Sequence, residues 1–252
     1  MAHFNVDPVY WPHMQNQCKE RMYSCDGIFV TTAGEPLKQW RTGKNFVSYM
    51  PNPSDPSMEN QDNGMKKDFL RDLFFAGNPN PVDPRWKFLA SVLEKLQGKM
   101  KIDIFGWNNP PIANPKEGLK FNPGVWGARY EEVLATSKMS LNLNRREGDF
   151  WYSSDRIAHL MGYGILTFQS SLNKMQDFFS NDETVFFDDV DDLVEKILYY
   201  QNHDEERARI ASAGREKYHR IFSGERVLKF MVETLCDEPY SEDYEWASQV
   251  VR

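Results

Sequence analysis

The sequence lacks the features that mark several large classes of protein. Its three cysteines, Cys18, Cys25 and Cys236, are an odd number at no metal-ligand spacing, and a chain of this size needs no disulfide scaffold. They are interpreted as reduced core or surface thiols. No apolar run approaches the roughly 18 to 20 residues that span a bilayer, and Met1 to Trp11 lack the basic-then-apolar order of a signal peptide. The sequence therefore predicts a cytoplasmic protein with no transmembrane segment.

An excess of positive charge is also missing. The formal net charge is -7 at pH 7, and the pI lies near 5.3. A protein that binds nucleic acid without regard to sequence needs clustered lysine and arginine to neutralise phosphates, so no nucleic-acid partner is expected. Local recognition of a phosphate group stays open, because it needs only a few basic side chains.

Motifs for nucleotide hydrolysis, redox chemistry and metal binding are absent as well. There is no P-loop, no Gly-x-Ser-x-Gly elbow and no strand-borne Gly-x-Gly-x-x-Gly fingerprint. The histidines have no ligand spacing among them. Four aspartates cluster at 188–192, but they stand where a strand leads into a helix, and capping of that helix is the preferred interpretation. We expect no metal in the site.

The order of predicted elements is the main positive signal. With 40% hydrophobic residues the chain can bury a sizeable core, and strand-like and helix-like segments alternate along it. The strands are expected at 27–32, 45–50, 72–76, 101–105, 139–143, 165–168 and 184–187. The helices are expected at 14–26, 84–97, 128–137, 154–162 and 190–202, followed by a charged helical region at 204–236. This alternation predicts an α/β fold with a Rossmann-like parallel sheet covered by helices.

A polar segment suggests a boundary between two parts of the chain. Residues 51–64 collect proline, asparagine, serine, aspartate and glycine with almost no apolar residue, which is typical of a linker or a long surface loop. The sequence thus predicts a short N-terminal α/β segment at 1–60 and a Rossmann-like domain at 66–236. Residues 237–252 are expected to form a C-terminal tail.

Ligands of such sheets bind at the carboxyl ends of the strands, so the segments that follow the strands are the candidate sites. The first candidate follows the strand at 72–76 and contains Gly77, Asn78 and Arg85. Asp83 is well placed to cap the next helix, which leaves Arg85 in the first turn beside free amides that could hold an anion. A plain strand-to-helix connection explains the same residues equally well.

The second candidate follows the strand at 139–143. Asn142 and Asn144 share one face of that strand, and Arg145 and Arg146 come directly after it. A solvated strand end is the alternative interpretation.

The third candidate is the most informative. Ser153 or Ser154 can cap the helix that begins near Asp155, and Arg156 and His159 share one face of its first turns. Helix amides, a guanidinium and an imidazole would then converge on one point, which suits a diphosphate and its ribose. A lone histidine on a helix is more often structural, so His159 alone is weak evidence.

The order of these motifs resembles the C-terminal domain of glycosyltransferases of the CgeB-like, spore-maturation-protein type, which belong to the group 1 enzymes of GT-B architecture. The resemblance covers about two thirds of the chain. The residues that carry it are Phe75-Ala76-Gly77 with Arg85, 130–137 running into Leu141-Asn142-Leu143, Ser154-Asp155-Arg156 with Gly164, 183–188, 192–200 and 207–215.

The resemblance implies a function. Members of this group take a nucleotide-sugar donor, UDP- or GDP-linked, and transfer the sugar to a glycan or other hydroxyl acceptor, generally without a divalent metal or another cofactor. It implies donor binding for Gly77, Arg85, Asn142, Arg156 and Gly164. Arg156 and Arg85 are expected to act in catalysis by offsetting the charge of the departing diphosphate.

Two departures favour an alternative function. Relatives usually carry a glutamate three residues after the arginine of the Ser-x-Arg helix, where it binds the ribose hydroxyls, whereas this chain has His159. In addition, only about 60 residues precede the boundary, too few for a usual acceptor domain. That domain is then missing, much reduced or supplied by another subunit, in a homo-oligomer or by a partner. The chain could therefore be a non-catalytic nucleotide- or glycan-binding module or a partner-dependent subunit. A third hypothesis is an unrelated α/β protein whose pattern coincides by chance.

Overall fold

A small sheet forms the N-terminal part of the protein. The computed structural model describes residues 1–5, 12–77, 84–106, 112, 114–146 and 148–252. Strands Ala2–Asn5 (β1), Gly27–Val30 (β2) and Phe46–Tyr49 (β3) lie side by side in that order and run parallel. Helix Pro12–Arg21 (α1) connects β1 to β2. The residues of β2 and β3 are all buried, as expected for short apolar strands.

The larger sheet has six strands, all parallel, and confirms the predicted α/β fold. In chain order its strands are Arg71–Ala76 (β4), Ile102–Phe105 (β5), Leu119–Asn122 (β6), Ser137–Asn142 (β7), Leu166–Ser170 (β8) and Val185–Phe187 (β9). Across the sheet the order is β6-β5-β4-β7-β8-β9. The chain therefore leaves β4 in one direction and returns to add β7 on the other side of it.

Helices cover both faces of this sheet. The helices are Pro84–Leu96 (α2), Ala128–Ala135 (α3), Asp155–Gly162 (α4), Val190–Asn202 (α5), Asp204–Ile221 (α6) and Gly224–Cys236 (α7). Successive residues of β4 point to opposite faces: Leu73 and Phe75 pack in one apolar cluster with α2 and α5, and Phe74 packs in another with α3 and α4. The connection through α2 runs from β4 toward one edge of the sheet, whereas those through α3 and α4 run toward the other edge. Because such crossovers are right-handed, α2 lies on one face of the sheet and α3 and α4 lie on the other.

Short polar side chains fix the starts of the helices. Asp189 accepts hydrogen bonds from the amides of Asp191 and Asp192 at 2.8 and 2.9 Å, which confirms that one aspartate of this cluster caps α5. Ser223 caps α7 by accepting from the amide of Arg226. That cap divides the helical region expected at 204–236 into α6 and α7.

The C-terminal residues return to the small sheet. Strand Val250–Val251 (β10) pairs antiparallel with β3 and becomes its outer neighbour. Trp246 is fully buried there, with ring centroids of Phe222 and Phe230 both 5.5 Å away. Residues 237–252, expected as a tail, thus complete the core that covers the small sheet. Neither β1, β6 nor β10 was expected from the sequence.

We predict that Trp246 is a main stabilising residue of this core. Trp246→Ala would remove a fully buried indole and leave a large cavity, so the free energy of unfolding should fall by about 3–5 kcal/mol. Chemical denaturation measures this change. The matched control is Trp126→Ala, whose side chain is 81% exposed and which should change stability by about 0.5 kcal/mol or less. Equal losses in the two variants would contradict the described packing.

Candidate functional site

The candidate site lies where β4 and β7 end. These two central strands are neighbours, yet the chain leaves them toward opposite sides of the sheet. Such a switch in strand order opens a crevice at the carboxyl edge of an open α/β sheet, and ligands bind there. The crevice is bordered by Ala76 and Gly77 after β4, by Leu143 after β7, and by the start of α4.

Arg156 connects the two strand ends. Its Nε donates to the carbonyl oxygen of Ala76 at 3.1 Å, and its Nη1 donates to that of Leu143 at 3.0 Å. The guanidinium also lies over the ring of Phe75, 4.8 Å from the centroid. Arg156 forms no salt bridge with any carboxylate in the part of the chain that the structure describes.

A second arginine lies beside it. Arg85 is buried in the first turn of α2, and its Nη1 donates to the same Leu143 carbonyl at 3.3 Å. Burial and, next in size, the positive charge of Arg85 together lower the pKa of Arg156 to about 10. Two guanidinium groups that share one carbonyl acceptor repel each other, so the crevice favours an anionic ligand.

The start of α4 is held by a serine and an asparagine. Ser154 caps the helix by accepting from the amide of Ile157 at 3.4 Å, and its hydroxyl donates to Oδ1 of Asn142 at 3.2 Å. Asn142 is 2% exposed. Asp155 is exposed in the first turn. The positive end of the α4 dipole therefore faces the crevice from the same side as Arg156.

Ser153 has a structural position instead. It is fully buried, its hydroxyl accepts from the amide of Asn52 at 2.9 Å, and its carbonyl accepts from Nδ2 of Asn52 at 2.8 Å. Its own amide donates to the carbonyl of Thr31. Ser153 thus ties the segment before α4 to the small sheet and to the polar linker, with its hydroxyl already engaged.

His159 contacts a carboxylate that lies far away in the sequence. Its Nδ1 lies 2.8 Å from Oε1 of Glu59. Glu59 is 3% exposed, whereas the side chain of His159 is 35% exposed. Burial alone would raise the pKa of Glu59, but hydrogen bonds from His159 and from the amide of Asp55 outweigh it and hold the pKa below its usual value. The imidazole therefore faces an ionised glutamate from the linker.

The two glycines of the predicted site are separated by the sheet. Gly77 follows β4 at the crevice, where an added Cβ would lie 3.0 Å from the ring of Phe75 and 3.6 Å from Nη2 of Arg156. Gly164 stands between α4 and β8, at the amino edge of the strands, with a φ of 63°. The structure therefore does not bring Gly164 to the crevice. Asn78 lies outside the described residues.

The segment after β7 supplies further polar groups. Asn144 is 7% exposed, and neither polar atom of its side chain has a hydrogen-bond partner among the described residues. Arg145 is partly buried and Arg146 is exposed, with Nε of Arg146 3.5 Å from Oδ1 of Asp149. Burial raises the pKa of Asp149 to about 6, and the charge of Arg146 offsets this only in part.

Sequence reasoning missed three side chains of this region. Glu59 stands in the polar linker, Tyr130 packs edge-on against His159 at 5.9 Å, and Asp149 is a buried carboxylate beside the arginines. Burial raises the pKa of Tyr130 to about 12 although the charge of Arg156 opposes it. Strand β6 precedes α3, so α3 begins at the carboxyl edge of the sheet, with Tyr130 in its first turn. Recognition of β6 in the sequence would have placed Tyr130 at that edge.

No group of three or more histidine, cysteine, aspartate or glutamate side chains that could hold a metal ion occurs among the described residues. In the same residues, no helix is long and apolar enough to cross a bilayer.

Comparison with known proteins identifies the family. The chain belongs to the family described as "Glycosyl transferase-like", whose model matches residues 85–233, more than half of the sequence. None of the curated proteins matches the sequence.

Solved structures show the same fold. Anabaena HepE in complex with UDP-glucose is similar with a TM-score of 0.67 and 11% identity over 94% of this chain and 72% of that one. S. aureus TarM, as a mutant in complex with Fondaparinux, alpha-GlcNAc-glycerol and UDP, has a TM-score of 0.66 and 15% identity over 92% of this chain. This chain spans 48% of TarM, about half its length. The architecture is that of the GT-B glycosyltransferases.

We predict that Asp149 makes stability depend on pH. Its pKa is about 6 in the folded protein against an ordinary value of 3.8, so the folded state binds the proton more tightly. The contribution of Asp149 to stability is then fully present below about pH 4 and is lost as the pH rises to about 6. Asp149→Asn should abolish this loss and be more stable than the wild type above pH 6, by at most about 3 kcal/mol.

Denaturation at pH 4 and pH 7.5 measures this effect. Asp68→Asn, at an exposed position, is the control and should leave the pH dependence unchanged. A wild type and an Asp149→Asn variant whose stabilities change in parallel with pH would refute the assignment.

We also predict that Gly164 is required for folding geometry. In Gly164→Ala the new Cβ would lie 2.3 Å from Oδ1 of Asp62, in addition to the cost of a positive φ. Gly43→Ala is the control, because its φ is 85° and no atom of the described residues lies within 4 Å of the added Cβ. The control should lose about 1 kcal/mol and Gly164→Ala about 2 kcal/mol or more in thermal or chemical unfolding. Equal losses would show that Asp62 moves away freely.

Proposed function

We propose that this protein is a glycosyltransferase that transfers a sugar from a nucleotide-sugar donor to a glycan or other hydroxyl acceptor without a divalent metal. One observation carries the proposal. Arg156 and Arg85 converge on the carbonyl of Leu143 at the crevice between β4 and β7, and Arg156 has no carboxylate partner in the described residues. Membership of the Glycosyl transferase-like family supports the same conclusion.

The proposed ligand of the two arginines is the diphosphate of the donor. In sugar transfer, the acceptor oxygen forms a bond to the anomeric carbon, the bond from that carbon to the phosphate oxygen breaks, and the diphosphate leaves with the electron pair. The acceptor hydroxyl gives its proton to an oxygen of the departing diphosphate or to solvent. Negative charge therefore builds up on the diphosphate, where two fixed guanidinium groups and the start of α4 would stabilise it more in the transition state than in the substrate.

The same groups account for the proposed independence of metal ions. A divalent cation and an arginine pair perform the same electrostatic task at a leaving diphosphate, and the pair is already in position. In the proposed donor site, Gly77 leaves space next to Arg156, while Asn142 and Ser154 fix the start of α4. Assignment to the CgeB-like type, use of UDP or GDP, and a cytoplasmic location remain parts of this proposal.

A second candidate function is nucleotide or glycan binding without catalysis, or action as a partner-dependent subunit. The observation that favours it is the pair of His159 and Glu59, since the imidazole occupies the position where the resemblance expects a ribose-binding glutamate. Release of nucleoside diphosphate from UDP-glucose or GDP-mannose with a mixture of hydroxyl acceptors separates the candidates. Binding of nucleotide with no release would favour the second one.

We predict that Arg156 determines the affinity for nucleoside diphosphate. Arg156→Ala removes a charge-assisted contact with the diphosphate, so the Kd for UDP or GDP in isothermal titration should rise about tenfold to a hundredfold. EDTA should leave the wild-type Kd unchanged. Arg156→Lys should recover only part of the affinity, because an ammonium cannot hold both carbonyls and an oxyanion in one plane.

The control for this experiment is Arg209→Ala. Arg209 is an exposed arginine on α6 that pairs with Asp182, and its loss should not affect the Kd. The absence of binding of either nucleotide to the wild type would overturn the proposed function. A Kd that is equal in Arg156→Ala and the wild type would remove Arg156 from the site.

A further inference from the structure

A basic cavity adjoins the crevice on the side of α2. It has a volume of about 530 Å³ and lies between the first turns of α2 and the segment after β7. Its walls include Arg85, Lys87, Phe88, Asn144, Arg145 and Arg146. Arg156 and Gly77 do not line it. The volume is in the range of small-molecule sites, about 300–1,000 Å³, and exceeds what a single phosphate needs.

The charge of the cavity has one sign. Four of its lining residues are basic, and none of those that the structure describes is acidic. This stands out in a chain whose formal net charge is -7. A concave wall that carries cations concentrates the positive potential, so the cavity attracts an oxyanion, such as a phosphate or a carboxylate.

Asn144 shows that the ligand needs more than a charge. The side chain is 7% exposed and lines the cavity, and its buried amide nitrogen and oxygen have no partner in the part of the chain that the structure describes. Buried polar atoms in native proteins nearly always have partners, so this pair points to a bound molecule. The nitrogen can donate to an oxyanion, whereas the oxygen requires a donor such as a hydroxyl group.

Phe88 provides an apolar wall in the same cavity. Its ring stacks on Phe187 at a centroid distance of 5.7 Å and an angle of 28°, which holds it in place. A fixed aromatic ring can pack against the apolar face of a sugar ring, which presents C–H groups and no hydroxyl groups. An oxyanion, a hydroxyl group and an apolar face together describe an anionic sugar.

We propose that this cavity binds an anionic sugar, with its phosphate or carboxylate on the basic residues and a hydroxyl on Asn144. The further step, that this sugar belongs to the acceptor, rests on the proposed function. Arg85 lines the cavity and also shares the Leu143 carbonyl with Arg156, so the bound sugar lies next to the proposed diphosphate position. The glycosyltransferase would thus select acceptors that carry phosphate or carboxylate groups.

Titration with glucose 6-phosphate tests the site, because this probe combines an oxyanion with a sugar ring. The protein is first saturated with UDP, so that the donor site is blocked. We expect saturable binding of glucose 6-phosphate and of glucuronate, and no detectable binding of neutral glucose. Lys87→Glu should weaken binding of glucose 6-phosphate about tenfold or more, while the affinity for UDP stays unchanged.

The matched control is Lys99→Glu, the same charge reversal at an exposed lysine just after α2 and outside the cavity lining. It should leave both affinities unchanged. If both variants weaken the binding of glucose 6-phosphate equally, the change in net charge explains the effect, and the proposal is overturned. So would no binding of glucose 6-phosphate, or displacement of UDP by it, since the probe would then use the donor site.

The experiment also separates this inference from the proposed function. If UDP does not bind, the proposed function fails, and the same titration without UDP still decides whether the cavity binds an anionic sugar. If UDP binds and glucose 6-phosphate does not, only the cavity assignment fails.

Discussion

The arrangement of the whole molecule depends on the burial of a polar linker under α6. Arg207 is fully buried, and it donates to the carbonyl of Asn63 at 3.2 Å while Asp204 offsets its charge at 2.8 Å. Asn63 in turn donates to the carbonyls of Leu134 and Ser137. A buried backbone carbonyl without a donor is costly, so this network holds the linker in one conformation. It thereby fixes where the small sheet lies.

The proposed site depends on the same network. Helix α4 carries Arg156, and it packs against α6 through a core that also includes residues of β2, β3 and α7. Glu59 reaches α4 from the linker through His159, and Ser153 joins the segment before α4 to Asn52. The position of the guanidinium at the crevice is thus set by contacts of residues that do not touch it. The proposed donor site and the basic cavity share Arg85, so this framework positions both.

Much of the fold could be predicted from local sequence patterns. Apolar runs bounded by turn residues identified β2, β3, β4, β5, β7, β8 and β9, because strands buried on both faces need continuous apolar side chains. Strand β6 has the sequence Leu-Lys-Phe-Asn, with partly exposed residues, and carries little of this signal. Strand β10 has two residues and is held by its partner β3 and by Trp246. Edge strands of this kind depend on tertiary contacts and not on their own sequence.

The sequence by itself determined the α/β class, the parallel order of strand and helix, and the presence of Arg85, Asn142, Ser154 and Arg156 at strand and helix ends. Periodicity and capping are local properties, so they can be read without the fold. Only the tertiary structure decided that Arg85 and Arg156 meet at one carbonyl, that Ser153 and Gly164 serve packing, and that Glu59 faces His159. Those contacts join residues distant in the sequence, and the order of the strands across the sheet brings them together.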